Sequence, residues 1–241
     1  MSGHSKWNNI KHKKEKADAA KAKIFTKIGK EMAVAIKAGG PDPNNNSKLR
    51  DLIAKAKANN VPNDNIQRTI KKFTDNSDIN FEEIVYEGYG PSGVAIIVET
   101  QTDNRNRTAG NVRAAFSKYG GNLGQNGCVG YLFEQKGVIT IVDEDEEIDE
   151  DKIMEDALEA GAEDIKCDEG EYTIYTAAED LDAVRDAIIS LGYQINTADL
   201  AKVPSTYVEL TSEEDIANME KMLDKFNEDD DVNAVYHNWD N

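Results

Sequence analysis

The chain has 241 residues, 39% of them hydrophobic, with 28 basic and 46 acidic side chains and a formal net charge of −18. It lacks a run of about 18 apolar residues, which argues against a membrane-spanning helix, and its polar start lacks the apolar core of a secretory signal. We therefore expect a cytoplasmic protein that is long enough for two or three domains.

Charge is divided unevenly along the chain. Residues 1–72 hold 17 basic and 6 acidic side chains, a net charge of +11, whereas residues 73–241 hold 11 basic and 40 acidic ones, a net charge of −29. A lysine-rich end on an acidic protein predicts a polyanionic partner, most simply nucleic acid. The acidic remainder would repel that polyanion, so contact is expected at one end of the molecule.

The N-terminal third predicts a basic arm followed by a helical domain. Residues 1–13 have too few apolar positions to form a core, so we interpret them as the arm. The pattern turns helical over about 14–38, where Ile24, Ile28, Met32 and Ile36 recur every four positions. Two further amphipathic stretches complete three helices in a domain spanning 14–78. Ser47 is the expected N-cap of the second helix, and Pro62 suits the first turn of the third.

The rest of the chain predicts mixed helices and strands. A hairpin, a helix over 105–119 and a strand over 129–133 give the order β-β-α-β. Residues 137–205 follow the order β-α-β-β-α-β, which is the ferredoxin-like pattern. Because the tail adds one helix and one strand, we expect a second ferredoxin-like domain, made of 79–136 and 206–241, into which 137–205 is inserted. The predicted fold class is α+β, an N-terminal three-helix bundle plus two ferredoxin-like α/β domains.

Candidate nucleic-acid contacts are mainly cationic side chains of the arm and the three helices. Lysine is a flexible point charge that suits phosphates better than bidentate reading of bases. Trp7 either stacks on a base or anchors the arm to the protein. The candidates are Lys6, Trp7, Lys11, His12, Lys13, Lys14, Lys16, Lys21, Lys23, Lys27, Lys30, Arg50, Lys55, Lys57, Arg68, Lys71, Arg105 and Arg107.

Two local patterns leave alternatives open. The second and third helices, joined by the short turn 59–62, outline a helix-turn-helix, although such turns are common in helical bundles. Its second helix would offer Gln67, Arg68, Lys71 and Lys72 to a DNA groove. Arg105 and Arg107 open a later helix, where they either hold a phosphate or make structural ion pairs.

The sequence offers little for catalysis. Cys128 and Cys167 lie far apart without a CxxC partner, and His4, His12 and His237 are too scattered for a metal site or a catalytic triad. We therefore expect no metal, no cofactor, no small-molecule substrate and no enzymatic activity. A metal-dependent enzyme acting on nucleic acid is the least favoured reading.

Several motifs, in order, resemble the YebC family. They are GHSKW (3–7), IKHKK (10–14), KIFTK (23–27), GGPDPN (39–44), PNDNI (62–66), YEGYGP (86–91), TDNRNRT (102–108), GGNLG (120–124) and DDV (230–232), followed by Val235, Tyr236 and Asn238. The resemblance covers residues 3–238. Its small departures, such as Asn8 in the arm and Cys128, remove no basic residue.

The resemblance implies a three-domain protein with one helical bundle and two ferredoxin-like domains. YebC proteins are described as probable transcriptional regulatory proteins that bind promoter DNA. Mitochondrial relatives are described as translational activators, and bacterial members also as ribosome-associated factors that relieve stalling at proline-rich stretches. Together with the lysine-rich N-terminal region, this favours a translation factor that binds ribosomal RNA. A DNA-binding transcriptional regulator is the alternative.

Overall fold

A computed structural model of the protein describes residues 25–75, 80–143, 148–168 and 170–240. The predicted arm, 1–13, lies outside the described residues. None of the helices in the described part combines the length and apolar character needed to cross a bilayer.

Seven helices and ten strands make up the described part of the chain. In chain order they are α1 (described over 25–39), α2 (Ser47–Ala58), α3 (Asn63–Asp75), β1 (Glu82–Tyr89), β2 (Ala95–Thr102), α4 (Arg105–Lys118), β3 (Asn122–Leu123), β4 (Phe133–Val142), α5 (Glu150–Glu159), β5 (Asp164–Asp168), β6 (Glu171–Ala177), α6 (Leu181–Ser190), β7 (Thr197–Pro204), β8 (Val208–Glu209), α7 (Glu213–Glu228), β9 (Val232–His237) and β10 (Trp239–Asp240).

Contacts divide the chain into two compact units. The first unit extends to Asn126 and resumes over Leu210–Val235, and the second comprises Gly127–Glu209 and Tyr236–Asn241. The first unit contains α1, α2 and α3, and the second contains the predicted ferredoxin-like series. The predicted three-domain boundaries stay predictions.

The three N-terminal helices bury one shared apolar core. Its buried members are Ile28, Met32, Ala35, Ile36, Leu49, Leu52, Ala56, Val61 and Ile66. These residues recur at the three- and four-residue spacing of a helix face, which turns the intervening basic residues outward. The helical bundle expected from the sequence is therefore present in the described residues.

The cap of α2 differs from the expectation by one residue. Asn46 caps the helix, because its side-chain oxygen accepts the Leu49 N–H at 3.1 Å, and Ser47 is the first helical residue. The Asn46 amide also donates to the carbonyls of Ala35 at 2.7 Å and Gly40 at 2.8 Å. A serine hydroxyl is too short to make all three bonds, so the side chain that joins the end of α1 to the start of α2 is the asparagine.

We expect Asn46→Ala to lower the free energy of unfolding by about 2 kcal/mol. Loss of the cap costs about 1 kcal/mol, and the buried Ala35 carbonyl and the part-buried Gly40 carbonyl each lose a hydrogen-bond donor. Ser47→Ala is the matched control and should change stability by less than about 0.5 kcal/mol. Urea denaturation followed by circular dichroism measures both, and equal stabilities of the two variants would contradict this assignment.

The sheet of the first unit has the strand order β3-β1-β2-β9. Strands β1 and β2 form the expected antiparallel hairpin, in which Tyr86 is opposite Val98. Asn104 caps α4 by accepting the Arg107 N–H at 3.1 Å, and Phe116 of α4 contacts Phe226 of α7 with ring centroids 5.3 Å apart. The Asp231 carbonyl accepts the Gln101 N–H at 2.8 Å, so the chain entering β9 lies beside the end of β2, just before α4.

The sheet of the second unit has the order β5-β6-β4-β7, with every neighbouring pair antiparallel. Together with α5 and α6 it confirms the β-α-β-β-α-β series. The strand predicted over 129–133 is wrong. Gly130–Leu132 forms a 3₁₀ turn closed by the Leu132 N–H on the Val129 carbonyl, and β4 begins only at Phe133.

Candidate nucleic-acid interface

The outer surface of the helical bundle is predominantly basic. Among the described residues of α1, α2 and α3, eight cationic side chains are exposed: Lys37, Lys48, Arg50, Lys55, Lys57, Arg68, Lys71 and Lys72. We call this set the basic surface. The described range 25–75 holds 10 basic and 5 acidic residues, a net charge of +5. This charge can attract phosphates without any preformed pocket.

Helix α2 places its basic residues on both flanks of its buried stripe. Lys48 and Lys55 are seven residues apart and share one flank, whereas Arg50 and Lys57, also seven apart, share the other. The ion pairs of Lys48 with Glu83 and of Arg50 with Asp51 are long, at 3.7 and 4.0 Å, and all four side chains are more than half exposed. Such pairs hold their charges weakly, so Lys48 and Arg50 can exchange a carboxylate for a phosphate.

Helix α3 has a mixed outer face. Arg68 and Lys71 are exposed, but Asp64 and Asp75 lie on the same stripe of the helix and are exposed as well. The turn before α3 fits a helix-turn-helix in outline, because Asn60 adopts a left-handed conformation with φ of 59° and Val61 is buried. The turn is therefore compatible with a DNA-binding helix-turn-helix, whereas the two acidic residues on the outer face of α3 oppose contact with DNA.

One buried carboxylate joins α1 to α4 and β9. The Asp231 carboxylate lies 2.8 Å from the Lys30 ammonium and 2.7 Å from Nη2 of Arg107. It also accepts hydrogen bonds from Thr108 at 2.9 Å and Thr102 at 3.2 Å. The Asp231 side chain is only 6% exposed. We call these five residues the Asp231 cluster.

Hydrogen bonding determines the ionisation of this cluster. Burial acts to raise the pKa of Asp231, but hydrogen bonds from Lys30, Arg107 and Thr108 outweigh it and lower the pKa to about 2. Hydrogen bonds to Asp231 and Asp103 raise the pKa of Arg107. Asp231 is therefore a carboxylate at neutral pH. It neutralises the positive charge of Lys30 and Arg107, which are then not available to bind a phosphate.

The structure thus separates the candidate residues. Lys30 and Arg107 are committed to Asp231, and Arg107 also pairs with Asp103 at 2.8 Å. Lys27, on the same side of α1 as Lys30, is half-buried and its ammonium is 3.4 Å from the Asn233 carbonyl. Arg105 is exposed at the start of α4. The candidates of the basic surface that the sequence identified are Arg50, Lys55, Lys57, Arg68 and Lys71.

Other candidates lie outside the described residues. They are Lys6, Trp7, Lys11, His12, Lys13, Lys14, Lys16, Lys21 and Lys23. Two members of the basic surface, Lys37 and Lys48, were not predicted from the sequence, and Lys72 was predicted only as part of the helix-turn-helix reading. The helical periodicity of the sequence was enough to predict that these lysines face outward. Asp231 was noted only as part of a motif, and local sequence gave no sign of its partners.

Arg105 and Arg113 mark a smaller basic region on α4. Both are exposed, and their charges oppose the rise that burial causes in the pKa of Tyr86. The Tyr86 hydroxyl is buried and has no hydrogen-bond partner in the described part of the chain.

Within the described part of the chain, no group of three or more His, Cys, Asp or Glu residues is arranged to hold a metal ion.

Comparison with known proteins identifies the family. Residues 5–76 match a family model described as the TACO1/YebC protein N-terminal domain, and residues 81–239 match one described as the TACO1/YebC second and third domain. The chain belongs to the TACO1/YebC family. The resemblance seen in the sequence is confirmed.

Similar proteins include relatives of the same length within the TACO1/YebC family. A protein of Agathobacter rectalis is 56% identical over all of both chains, and one of Acetivibrio thermocellus is 54% identical over 99% of each. Both are called "Probable transcriptional regulatory protein". The crystal structure of a conserved hypothetical protein from Aquifex aeolicus matches with a TM-score of 0.82 and 43% identity, over 92% of this chain and 91% of that one. The α+β fold class predicted from the sequence is confirmed.

Proposed function

We propose that this protein is a non-catalytic, cytoplasmic regulator of gene expression that binds nucleic acid through its basic N-terminal region. The observation that carries the proposal is the basic surface, eight exposed cationic side chains on three packed helices. The same region of the sequence holds nine further lysines or aromatic and histidine candidates before residue 25. The names of the relatives are consistent with a regulatory role.

Ribosomal RNA is the partner that the chemistry favours. Of the 17 basic residues in 1–72, only Arg50 and Arg68 are arginines. Lysine-rich surfaces bind phosphates without reading bases, which suits recognition of a folded RNA by its shape. We therefore propose a ribosome-associated translation factor, and relief of stalling is the role that the YebC resemblance implies.

Promoter DNA is the second candidate. It is supported by the turn between α2 and α3 and by the word "transcriptional" in the relatives' names. A helix-turn-helix protein inserts its second helix into the major groove, where side chains contact base edges. The exposed Asp64 and Asp75 on α3 would face the phosphates of that groove. We therefore rank DNA below RNA.

Sucrose-gradient fractionation of cell lysate tests the choice of partner. We expect the wild type to travel with ribosomes at low salt and to dissociate as salt rises. Five to eight phosphate contacts predict a log–log salt slope of roughly −4 to −7 for binding to purified ribosomes. A variant with Lys11, Lys13, Lys14 and Lys23 changed to Glu should remain at the top of the gradient.

Two results would redirect the proposal. Wild type that remains at the top of the gradient in low salt would contradict ribosome binding, and two-fold symmetric protection of a promoter fragment would then establish the DNA reading. Binding that is insensitive to salt would contradict phosphate contact with either partner.

A further inference from the structure

The second unit contains a cleft that is lined by none of the residues of the basic surface. Its volume is about 340 Å³, within the range of small-molecule sites, and it opens where β4, β5, β6 and β7 meet the segment after β7. Lys136 and Tyr175 line it. In their strands they alternate with Ile139 and Ile174, which belong to the core shared with α5 and α6. The cleft therefore lies on the sheet face opposite those helices.

The wall that carries Tyr207 is held on both sides. Before it, Ser205 donates its backbone N–H and its hydroxyl to the Leu132 carbonyl, at 2.8 and 3.1 Å. The Thr206 carbonyl accepts the side-chain amide of the buried Asn238 at 3.0 Å, and the Val208 N–H donates to the Asn238 carbonyl at 2.7 Å. Tyr207 is therefore presented by an anchored segment, although its side chain is 45% exposed.

Lys166 is unusual in its surroundings. Residues 127–209 contain 23 acidic and 5 basic side chains, yet within the described part of the chain Lys166 has no ion pair. Its ammonium instead lies 4.9 Å from the ring centre of Tyr207 and 5.8 Å from that of Tyr175. Lys136, in the same cleft, pairs with Glu163 at 3.0 Å. Burial acts to lower the pKa of Lys166, but Tyr207, Tyr175 and the nearby carboxylate of Asp164 raise it. Lys166 is therefore a cation held against two rings and near one carboxylate, and an incoming anion would add a full ion pair.

We propose that this cleft binds a nucleoside phosphate, either free or as one nucleotide of a single-stranded RNA. The phosphate pairs with the Lys166 ammonium, with Lys136 as a second donor, and the base stacks on the exposed ring of Tyr207. Asp164 and Glu134 also line the cleft, Glu134 at 3.6 Å from the Lys136 ammonium, and their carboxylates can accept hydrogen bonds from the sugar or the base. The cleft lies in the acidic unit, so this inference goes beyond the proposed function and does not depend on the basic region.

Isothermal titration calorimetry of the full chain tests the site. The probes are AMP, UMP, adenosine, inorganic phosphate and a short oligouridine. Lys166→Met should weaken AMP and UMP binding by about tenfold or more, because a charge-assisted bond is lost, but should leave adenosine binding unchanged. Tyr207→Leu should weaken AMP and adenosine alike, by about tenfold. Lys152→Met, an exposed lysine of α5 outside the cleft, is the matched control and should bind like the wild type.

The outcomes separate the sources and the two proposals. Saturable binding of AMP or UMP indicates a free nucleotide as ligand, whereas cleft-dependent binding of oligouridine alone indicates RNA. The inference would be overturned if AMP, UMP and oligouridine all fail to bind saturably. It would also be overturned if both cleft variants bind as the wild type does. The variant with Lys11, Lys13, Lys14 and Lys23 changed to Glu should bind AMP and UMP normally, so loss of ribosome binding in that variant reports on the proposed function alone.

Discussion

Changing Arg50, Lys57, Arg68 and Lys71 to Glu is expected to weaken binding to ribosomes by roughly 10³-fold at about 0.1 M salt. Each lost phosphate contact removes between about 0.7 and 0.9 from the magnitude of the log–log salt slope. The slope should therefore become shallower by about 3. All four side chains are exposed, so the substitutions leave the bundle core intact. Filter binding to purified ribosomes over a salt series measures both quantities.

The control for this experiment is an equal change of charge placed elsewhere. Lys118, Lys152, Lys221 and Lys225 are exposed lysines outside the bundle, on α4, α5 and α7. Changing these four to Glu alters the net charge by the same amount, so any effect of total charge appears in both variants. Equal losses of affinity would show that the basic surface makes no specific contact. Circular dichroism of both variants confirms that they are folded.

Local pattern was sufficient for most of the fold. The four-residue spacing of Ile28, Met32 and Ile36 predicted α1, and these residues are buried as expected. The β-α-β-β-α-β order was visible because each element carries its own periodicity and turn residues. Element ends were less predictable. Asn46 rather than Ser47 caps α2 because its amide also satisfies carbonyls at the end of α1.

The Asp231 cluster could not be predicted from local pattern. Asp231 is separated by 201 residues from Lys30 and by 124 from Arg107, and nothing in either neighbourhood identifies the other. The sequence therefore left Arg107 open between a phosphate site and an ion pair. The cleft in the second unit could not be predicted for the same reason: its lining residues come from four strands and the segment after β7, which are far apart in the sequence. The basic surface was partly predictable, because helical periodicity alone turns its side chains outward.

Replacing Asp231 is expected to have the largest effect on stability among the charged residues of the first unit. Asp231→Asn should lower the free energy of unfolding by about 3 kcal/mol, because it leaves the mostly buried Lys30 ammonium without its carboxylate. Lys30→Met should cost only about 1 kcal/mol, since Arg107 and Thr108 still satisfy Asp231. Urea denaturation measures the total effect, and hydrogen exchange in α1 and α4 locates it.

The neighbouring Asp230 provides the control. Its side chain is exposed, and only its backbone carbonyl contacts Lys30, at 2.7 Å. Asp230→Asn should therefore change stability by less than about 0.5 kcal/mol. The double variant Lys30→Met with Asp231→Asn should be less destabilised than the sum of the two single variants, because removing both partners leaves no unpaired charge. Additive losses would argue against a direct interaction.

Lowering the pH should reduce the free energy of unfolding of the wild type more than that of the Asp231→Asn variant. The pKa of Asp231 is lowered from its ordinary 3.8 to about 2 in the folded protein. Its carboxylate therefore stabilises the fold fully above about pH 4, and this contribution is lost as the pH falls through 2. The stability difference between wild type and variant should shrink between pH 5 and pH 2. Because the other carboxylates are common to both proteins, their titration cancels in this difference. A difference that stays constant over this range would mean that Asp231 does not hold Lys30 and Arg107 through its charge.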